Sequence, residues 1–468
     1  MSLMEQSVAG AAREVVWLDD ARRPDALPRL RGDRRTDLLI IGGGYTGLWT
    51  ALHALHRDPG RRIVLLEAGR CGEQASGRNG GFVEPSLTHG HANGAARWPD
   101  DMATLDRLAA ENLDGFESDV RAHGIDANFE RVGELHVATR PHEVAELQEE
   151  HRERSAAGHR VRLLDEAETR ALVASPTYLA GVLDPDVALV EPARLAWGLR
   201  EALLAAGVEI FEGSPVTRLE AGRDGVRART ASAGGAGSVL ADQVVLATNA
   251  FPPLLRRLRL WTVPVYDYVI ATEPLDAAHR EALGWQGRQG IGDSGNLFHY
   301  YRLTHDDRIV FGGYDAVYRY GSRISPRFEQ QGRTHGVLAR HLAETFPALE
   351  DVRLSHRWAG VIDTSTRFAA FYGTAHGGRT AYALGFTGLG VAATRFAGDV
   401  VLDLLAGEET ERTALEMVRR RGVPFPPEPA RSLGINLTRW SLERSDHGGG
   451  RRNAWLRALD AAGLGFDS

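Results

Sequence analysis

Apolar and polar positions near the N-terminus change their spacing twice within a short segment. An uninterrupted apolar run, 38–41, follows Asp37 and leads into a glycine-rich turn. Apolar residues then recur at helical spacing over 48–56, and a second apolar run, 63–66, ends at Glu67. Short continuous apolar runs are typical of buried parallel strands, and the intervening periodicity is typical of an amphipathic helix. The segment therefore predicts a strand, a glycine turn, a helix and a second strand.

The glycines of this turn have the spacing of a dinucleotide-binding motif. Gly42, Gly44 and Gly47 form Gly-x-Gly-x-x-Gly, and Glu67 follows at the distance of about 20 residues that the motif requires. The first glycine makes the tight turn, the second lets a pyrophosphate approach the backbone, and the third lets helix and strand pack closely. We expect Glu67 to accept hydrogen bonds from the adenosine ribose, with the helix N-terminus facing the phosphates. The alternative is a glycine turn that binds no nucleotide.

Two downstream segments extend the same nucleotide-binding pattern. A helix is predicted over 192–204, followed by a strand over 208–211, a small antiparallel meander and a buried strand over 243–249. Residues 379–391 again predict a strand and a glycine turn, and 392–405 predict a helix. This last turn lacks the Gly-x-Gly-x-x-Gly order and has no acid at the ribose position. It therefore indicates a second contact to the same cofactor.

The remaining blocks are richer in aromatic residues and histidine, and they mix predicted helices with alternating strands. A cofactor domain interrupted twice by a substrate domain fits this order. We assign 36–85, 185–262 and 355–408 to the cofactor domain, 86–184 and 263–354 to the substrate domain, 1–35 to an N-terminal extension and 409–468 to a helical tail. The predicted class is α/β, with a Rossmann-like domain interleaved with an α+β domain built on an antiparallel sheet.

Composition narrows the possible chemistry. The chain has 468 residues, 43% of them hydrophobic and 25% charged, and its net charge of -7 favours no nucleic acid partner. No apolar run approaches the roughly 20 residues of a membrane span, and 1–35 lacks a signal-peptide core, so we expect a cytoplasmic protein.

The one cysteine, Cys71, excludes an internal disulfide and a thiolate zinc cluster. All 55 basic residues are arginine, which excludes lysine-anchored pyridoxal phosphate and a P-loop lysine.

Four segments together resemble the flavin-dependent amine and D-amino acid oxidase superfamily, which includes glycine oxidase and sarcosine oxidase. They are the glycine motif, Ala75 to Phe82 (Ala-Ser-Gly-Arg-Asn-Gly-Gly-Phe), Val244 to Ala250, and Tyr382 to Gly407, with Trp358 to Asp363 preceding the fourth. Ser-Gly-Arg-Asn-Gly-Gly and Tyr300 to Thr304 are most similar to the gamma-glutamylputrescine oxidase branch. The resemblance spans roughly 36–407. It implies a glutathione-reductase type of FAD-binding domain and hydride transfer from substrate to flavin.

The chain departs from some relatives in two ways. Relatives of the sarcosine oxidase type attach flavin through a cysteine late in the chain, whereas Cys71 lies early, so the FAD is expected to be noncovalent. Such relatives also use a lysine beside the flavin to promote the reaction with oxygen, and this chain has none.

Candidate site residues follow from the motifs and the resemblance, and no metal site is expected, because pairs such as His89 and His91 are more typical of polar loops. The cofactor candidates are Gly42, Gly44, Gly47, Glu67, Ser76, Arg78, Asn79, Gly80, Gly81, Val216, Thr248, Gly388, Gly390 and Val391. The substrate candidates are Arg302, Tyr300, Tyr266, Tyr268, Trp358 and Asn79.

Each substrate candidate has a structural alternative. Arg302 suits a substrate carboxylate and shares a strand face with Tyr300; the alternative is a surface arginine paired with Asp306 or Asp307. Sheet packing is the alternative for the tyrosines of 265–268, and core packing for Trp358. Arg78 is either a cofactor contact or a salt bridge within its loop.

The leading functional hypothesis is oxidation of a C–N bond in an amine or amino acid, with oxygen as electron acceptor. The resulting imine is hydrolysed to a carbonyl product and ammonia or an amine. A dehydrogenase that passes electrons to a quinone or another carrier is the first alternative. A non-enzymatic flavin-binding protein is a second. An NADPH-dependent monooxygenase is disfavoured, because no second dinucleotide motif is present.

Overall fold

The computed structural model describes residues 2–231, 235–330 and 332–465. The helices are α1 (Leu3–Ser7), α2 (Tyr45–Arg57), α3 (His91–Arg97), α4 (Met102–Ala122), α5 (Pro141–Ala156), α6 (Glu166–Leu172), α7 (Pro192–Ala205), α8 (Ala277–Leu283), α9 (Pro326–Glu329), α10 (Gly332–Thr345), α11 (Gly390–Ala406), α12 (Glu411–Ala414), α13 (Glu416–Arg419), α14 (Ala430–His447) and α15 (Ala454–Ala461). None of them, within these residues, is both long enough and apolar enough to cross a membrane.

The strands form two large sheets and one small one. They are β1 (Gly32–Ile41), β2 (Ile63–Leu66), β3 (Phe82–Val83), β4 (Glu134–Ala138), β5 (Arg162–Leu164), β6 (Ala180–Asp184), β7 (Ala188–Leu189), β8 (Glu209–Phe211), β9 (Val216–Gly222), β10 (Gly225–Thr230), β11 (Gly237–Leu246), β12 (Val263–Thr272), β13 (Gly290–Asp293), β14 (His299–Leu303), β15 (Ile309–Gly313), β16 (Val317–Tyr318), β17 (Leu354–Thr364), β18 (Phe371–Ala375) and β19 (Thr380–Leu384).

The first sheet has the order β18-β19-β11-β1-β2-β8, and the strands from β19 to β8 run parallel. Leucine, isoleucine and valine fill 38–41 and 63–66 and are buried on both faces of this sheet, as parallel strands covered on two sides require. On one face the core includes residues of α2, α4, α7 and α11. The predicted strand, turn, helix and strand are confirmed, although β1 begins earlier than expected, at Gly32.

The second sheet has the order β16-β12-β15-β14-β13-β4-β6-β5, with β17 paired along β12. Its pairings are antiparallel except for that of β13 with β4. The predicted fold class, a Rossmann-like unit joined to a unit on an antiparallel sheet, is confirmed. The domain limits stay a proposal, and β17 departs from them. It lies almost wholly in the 355–408 segment that we assigned to the cofactor domain, yet it pairs with the substrate-domain strand β12 along its whole length.

Residues 2–35, which were assigned to an N-terminal extension, pack against the rest of the chain. Met4, Val15 and Trp17 are buried, and α1 packs against α10. The indole Nε1 of Trp17 donates a hydrogen bond to the carbonyl of Asn79 at 2.9 Å. The N-terminal segment therefore supports the glycine loop that follows β2.

Candidate functional site

A cavity of about 1630 Å³ lies where the carboxyl ends of four parallel strands meet. Gly42 follows β1, Glu67 follows β2, Ala247 follows β11, and the turn beginning at Gly385 follows β19. Because these strands are parallel neighbours, the loops at their carboxyl ends share one edge of the sheet, which is where open α/β sheets bind ligands. From this edge the cavity continues to the face of the antiparallel sheet formed by β12 and β14.

The glycine turn after β1 has no room for side chains. Gly42 has a φ of +115°, and a Cβ there would lie 2.2 Å from the carbonyl oxygen of Ala247. A Cβ on Gly47 would lie 1.9 Å from the carbonyl oxygen of Gly42. Gly47 is also the one cofactor candidate that does not line the cavity. Its position fits the helix-packing role that the motif assigns to the third glycine.

Glu67 is held in place by two backbone amides. Its Oε2 accepts from the N–H of Gly43 and its Oε1 accepts from the N–H of Gly69, both at 2.7 Å. Burial raises the pKa of this carboxyl, and the two amides oppose the shift. Glu67 lines the cavity beside the glycine turn, where the motif places the ribose acid. Cys71 is buried beneath the same turn, since a Cβ on Gly43 would lie 2.6 Å from its sulfur.

The loop 75–81 is shaped by its own asparagine. The Asn79 amide donates to the carbonyls of Ala75 and Ser76 at 2.9 and 3.1 Å, and its Oδ1 accepts from the N–H of Gly81 at 2.8 Å. We expected Asn79 to make a polar contact near the flavin and substrate. Both ends of the side chain are engaged within the loop, so Asn79 fixes the loop backbone; it also borders the cavity, and its contact to the flavin or substrate stays a prediction.

Arg78 is anchored in a similar way. Its guanidinium donates to the carbonyls of Glu73 at 2.8 Å and Ala359 at 3.1 Å, and it forms an ion pair with Glu329 at 2.7 Å. It borders the cavity, but its charge is matched by Glu329, which lies far along the chain. The predicted alternative of a salt bridge is therefore present, although the partner is not within the loop.

The second glycine turn leads into α11, whose N-terminus borders the cavity through Gly390 and Val391. Asp363 stabilises this turn, because its carboxylate accepts from the N–H of Gly385 and from the amide of Asn249. Burial raises the pKa of Asp363 to about 7. Sequence reasoning did not single out Asp363 as a site residue, although it ends the Trp358 to Asp363 segment that resembles the superfamily.

The cofactor candidates other than Gly47 all line this one cavity. They are Gly42, Gly44, Glu67, Ser76, Arg78, Asn79, Gly80, Gly81, Val216, Thr248, Gly388, Gly390 and Val391. The residues come from six separate segments, and the N-termini of α2 and α11 meet the same space. Two helix N-termini and a series of side-chain-free backbone positions suit a ligand that carries both phosphates and a flat ring.

The wall of the cavity formed by β12 and β14 contains a tyrosine and a half-buried acid. The hydroxyl of Tyr300 donates to Oδ2 of Asp267 at 2.5 Å, and the N–H of Gly313 donates to Oδ1 at 3.1 Å. Burial raises the pKa of Asp267 to about 6, and these two donors limit the rise. The ring of Tyr300 lies against Gly80, where a Cβ would be 2.7 Å from a ring carbon. Tyr300 thus connects the glycine loop to Asp267.

Tyr266 and Tyr268 lie on the strand face opposite Asp267, because side chains alternate along β12. Both are fully buried. The hydroxyl of Tyr266 accepts from the N–H of Ser325 at 2.8 Å, and that of Tyr268 donates to the carbonyl of Phe328 at 2.6 Å. Tyr266 borders the cavity and Tyr268 does not. The expectation of two cavity tyrosines is therefore wrong for Tyr268 and stays a prediction for Tyr266, and the acid between them also borders the cavity.

Arg302 and Trp358 are also displaced from the expected site. The guanidinium of Arg302 is buried, donates to the carbonyl of Val190 at 2.6 Å and lies 5.7 Å from the ring centroid of Trp17. Arg302 lies two residues beyond Tyr300 on β14 and does not line the cavity, and among the described residues it forms no ion pair with a surface acid. The indole of Trp358 donates to the carbonyl of Arg78 at 2.9 Å and packs in the core.

The part of the cavity beyond Asp267 is acidic. Glu84, Glu134, Glu150 and Asp184 line it, with His136 and Arg154 among them. Glu150 accepts from Arg154 at 3.0 Å and lies 3.3 Å from His136. Among the residues that the structure describes, no hydrogen bond or ion pair holds the Glu84 carboxyl. Burial and the neighbouring charge of Glu134 raise its pKa to about 8.

The fold and the cavity suit an enzyme that binds a dinucleotide cofactor, and sequence comparison identifies the family. The family described as FAD dependent oxidoreductase (DAO) matches residues 37–404. The chain belongs to this family, it is an oxidoreductase, and its cofactor is FAD.

Similar proteins extend over most of the chain. It is 32% identical to gamma-glutamylputrescine oxidoreductase of Escherichia coli strain K12, over 86% of this chain and 90% of that protein. It is 27% identical to the probable oxidoreductase OrdL of Haemophilus influenzae, over 85% of this chain and 89% of that protein. Among solved structures, glycine oxidase from Geobacillus kaustophilus has a TM-score of 0.68 at 20% identity, with 83% of this chain and all of that chain covered.

Proposed function

We propose that this chain oxidises the C–N bond of an amine or amino acid, giving an imine that water converts to a carbonyl product and ammonia or an amine. The observation that carries the proposal is the continuity of the cavity. The glycine loops that suit FAD and the wall bearing Tyr300 and Asp267 enclose one space, and Tyr300 packs directly on Gly80. A substrate held at that wall would therefore lie next to the cofactor loop.

When bound, FAD supplies the hydride acceptor, and the protein supplies orientation and electrostatics. We assign the adenosine ribose to Glu67, the pyrophosphate to the backbone at Gly44 and the N-terminus of α2, and the flavin to the Ser76–Gly81 loop and the 385–391 turn. The positive end of the α11 dipole stabilises negative charge that develops on the ring. The buried Cys71 lies beneath the first glycine turn, which supports noncovalent binding.

Asp267 is the residue that we propose to bind the substrate nitrogen. Each of its oxygens already accepts one hydrogen bond, and each retains a lone pair for an ammonium N–H. The carboxylate would hold the ammonium and take a proton from it, so that the nitrogen lone pair is free as the C–H bond is oxidised. Arg302 no longer supports carboxylate recognition, because it is engaged outside the cavity.

The acidic part of the cavity favours a substrate with positive charge along its length. The carboxyl of Glu84 has no hydrogen bond or ion pair in the described structure, and a buried charge is expensive unless it is paired. Because its pKa is raised to about 8, Glu84 is mostly protonated near pH 7; a cationic group on the substrate would favour the ionised carboxylate and pair with it. Diamines and their conjugates therefore rank above simple acidic amino acids, and gamma-glutamylputrescine is a substrate to test because a relative is named for it.

Oxygen is the proposed electron acceptor, and a quinone or another carrier is the alternative. The absence of lysine from the whole chain favours testing this alternative. Substrate-reduced enzyme is mixed either with air-saturated buffer or with an anaerobic redox dye, and the rate of flavin reoxidation is followed by absorbance.

An oxidase is reoxidised by oxygen at least as fast as it turns over and releases one peroxide per substrate. Slow reoxidation by oxygen with fast dye reduction would assign the chain as a dehydrogenase. The matched control is the same enzyme reduced with dithionite, which separates the effect of the bound product from that of the protein.

A further inference from the structure

Two histidines and an aspartate converge on the cavity wall away from the glycine loops. His91 begins α3, Asp106 lies in the second turn of α4, and His159 follows α5. Nδ1 of His91 and Nε2 of His159 each lie 3.3 Å from the same atom, Oδ2 of Asp106. The side chains of His91, Asp106 and His159 are 14%, 22% and 24% exposed, respectively, and all three border the cavity.

Hydrogen bonding alone does not account for this arrangement. Nδ1 of His91 is buried and has no hydrogen-bond partner among the described residues, because its approach to Asp106 has the distance but not the direction of a hydrogen bond. Nε2 of His159 does form a hydrogen bond with Oδ2 of Asp106, but its length of 3.3 Å exceeds the roughly 2.7–2.9 Å of charge-assisted N–H···O bonds. The rings of His91 and His159 meet edge to face at 76° with centroids 5.3 Å apart, so they are not stacked.

The spacing matches the edges of a metal coordination polyhedron. Zinc binds imidazole nitrogen and carboxylate oxygen at about 2.0–2.1 Å, so a tetrahedral site has ligand-to-ligand edges of about 3.3 Å. Both contacts to Oδ2 have this length, and the three ligand atoms all lie within 4.8 Å of one another. Two imidazoles and one carboxylate form a donor set for zinc or a similar transition metal, and not for magnesium or calcium, which prefer oxygen ligands.

We propose that His91, Asp106 and His159 bind a divalent transition metal ion, with zinc as the reference ion and with a fourth position open to the cavity. The ion would join α3, α4 and the segment after α5, three parts of the wall that are otherwise connected by side-chain packing. Because it would bind the folded chain in preference to the unfolded chain, it would raise the melting temperature in proportion to the logarithm of its concentration.

A second cluster in the chain provides a matched control. His56, Asp119 and His123 also lie within 4.8 Å of one another. There, however, Asp119 accepts from Arg395 at 2.9 Å. His56 and His123 are exposed and stacked at 12°. The carboxylate is already paired with an arginine, and the Nε2 atoms of the two imidazoles lie within hydrogen-bond distance of each other, 3.4 Å apart, so we expect no metal ion here.

The test uses the FAD-loaded enzyme after treatment with a chelator and dialysis. Zinc binding is measured by competition with a chromogenic indicator, and cobalt(II) is added separately to record the visible absorption of a tetrahedral cobalt site. We expect one zinc per chain and a cobalt spectrum. The variant His91→Gln/His159→Gln should bind zinc at least about 100-fold more weakly, since loss of outer-shell partners alone costs about 10–100-fold. His56→Gln/His123→Gln should bind like the unmodified chain.

Absence of zinc binding in the chelator-treated enzyme with its full FAD content would overturn the proposal. So would unchanged affinity in His91→Gln/His159→Gln, or an equal loss in the control variant. If the double variant does not fold, as judged by FAD content and circular dichroism, the single variant His159→Gln replaces it, because His159 lies outside the helices. The cobalt spectrum of the unmodified chain tests whether a tetrahedral site exists, and its loss in His159→Gln but not in His56→Gln/His123→Gln assigns that site to the proposed cluster.

Discussion

Replacing Asp267 with asparagine removes the proposed substrate-binding charge with little change of shape. The hydroxyl of Tyr300, 2.5 Å from Oδ2, and the N–H of Gly313, 3.1 Å from Oδ1, both donate to this carboxylate. In the variant the amide oxygen accepts from Gly313, and the amide N–H2 donates to the tyrosine hydroxyl, which can also accept. The local network therefore survives, and the substrate ammonium loses its counter-charge.

The expected effect follows from the burial of this pair. Losing one partner of a buried, hydrogen-bonded charge pair costs about 2–4 kcal/mol, which corresponds to roughly 30- to 1000-fold in kcat/KM. The pH dependence gives a second signature. The pKa of Asp267 is raised to about 6 by burial, so its charged form is lost as the pH falls through that value. In the unmodified enzyme kcat/KM should fall about tenfold between pH 7 and pH 5.

The assay is steady-state kcat/KM for one amine from pH 5 to pH 7.5, where the free amine stays protonated. Asp267→Asn should show the large loss and a flat profile. Tyr300→Phe should move the fall to higher pH, because the tyrosine hydroxyl lowers the pKa of Asp267. Asp315→Asn is the control, since Asp315 also borders the cavity but pairs with Arg439 at 2.8 Å. A fall near pH 6 that persists in Asp267→Asn would refute the reasoning.

The other predictions concern the cofactor and Arg302. Gly44→Val should abolish FAD retention in the purified protein, because its side chain would occupy the place of the pyrophosphate; normal FAD occupancy would show that the phosphate site lies elsewhere. Cys71→Ala should retain FAD, and acid precipitation of the unmodified chain should release all flavin into the supernatant, whereas flavin on the precipitate would contradict noncovalent binding. Arg302→Met should lower the free energy of unfolding by about 1–3 kcal/mol, since it leaves the buried carbonyl of Val190 without its donor, and should affect acidic and neutral substrates alike. A loss of kcat/KM confined to acidic substrates would restore the carboxylate role.

Local patterns in the sequence identified the glycine turns that border the cavity. The turn after β1 depends on three glycines and the apolar runs on either side, all within one short segment. The constraints on Gly42 and Gly47 are set largely by backbone atoms, so the spacing alone carries the information. The same holds for the turn before α11, where a strand, glycines and a helix follow in order.

The substrate side depends on contacts that no local pattern encodes. Alternation along β14 correctly put Tyr300 and Arg302 on one face, but it could not show that the cavity ends between them. Alternation along β12 correctly put Tyr266 and Tyr268 on one face of the strand. It could not show which of the two faces is directed toward the cofactor loop. An acid within an otherwise apolar and aromatic strand was the available signal for Asp267, and it was overlooked.

Residues whose partners lie far along the chain could not be predicted from local patterns either. Arg78 pairs with Glu329, and Asp363 supports a turn that begins at Gly385. His91, Asp106 and His159 come from α3, α4 and the segment after α5, so only the tertiary fold brings them together. Their separations in the sequence match no metal motif, so the chain predicted no metal there.

The central claim is that an amine bound in this cavity delivers a hydride to FAD. Its most direct test is anaerobic mixing of the yellow holoenzyme with a panel of diamines, gamma-glutamylputrescine, amino acids and neutral amines, followed by absorbance of the oxidised flavin. We expect rapid and complete bleaching by at least one cationic amine, with one carbonyl product per flavin and a much slower reaction in Asp267→Asn. Oxidised flavin that stays unbleached by every amine and amino acid, in enzyme with full FAD content that dithionite reduces normally, would contradict the account.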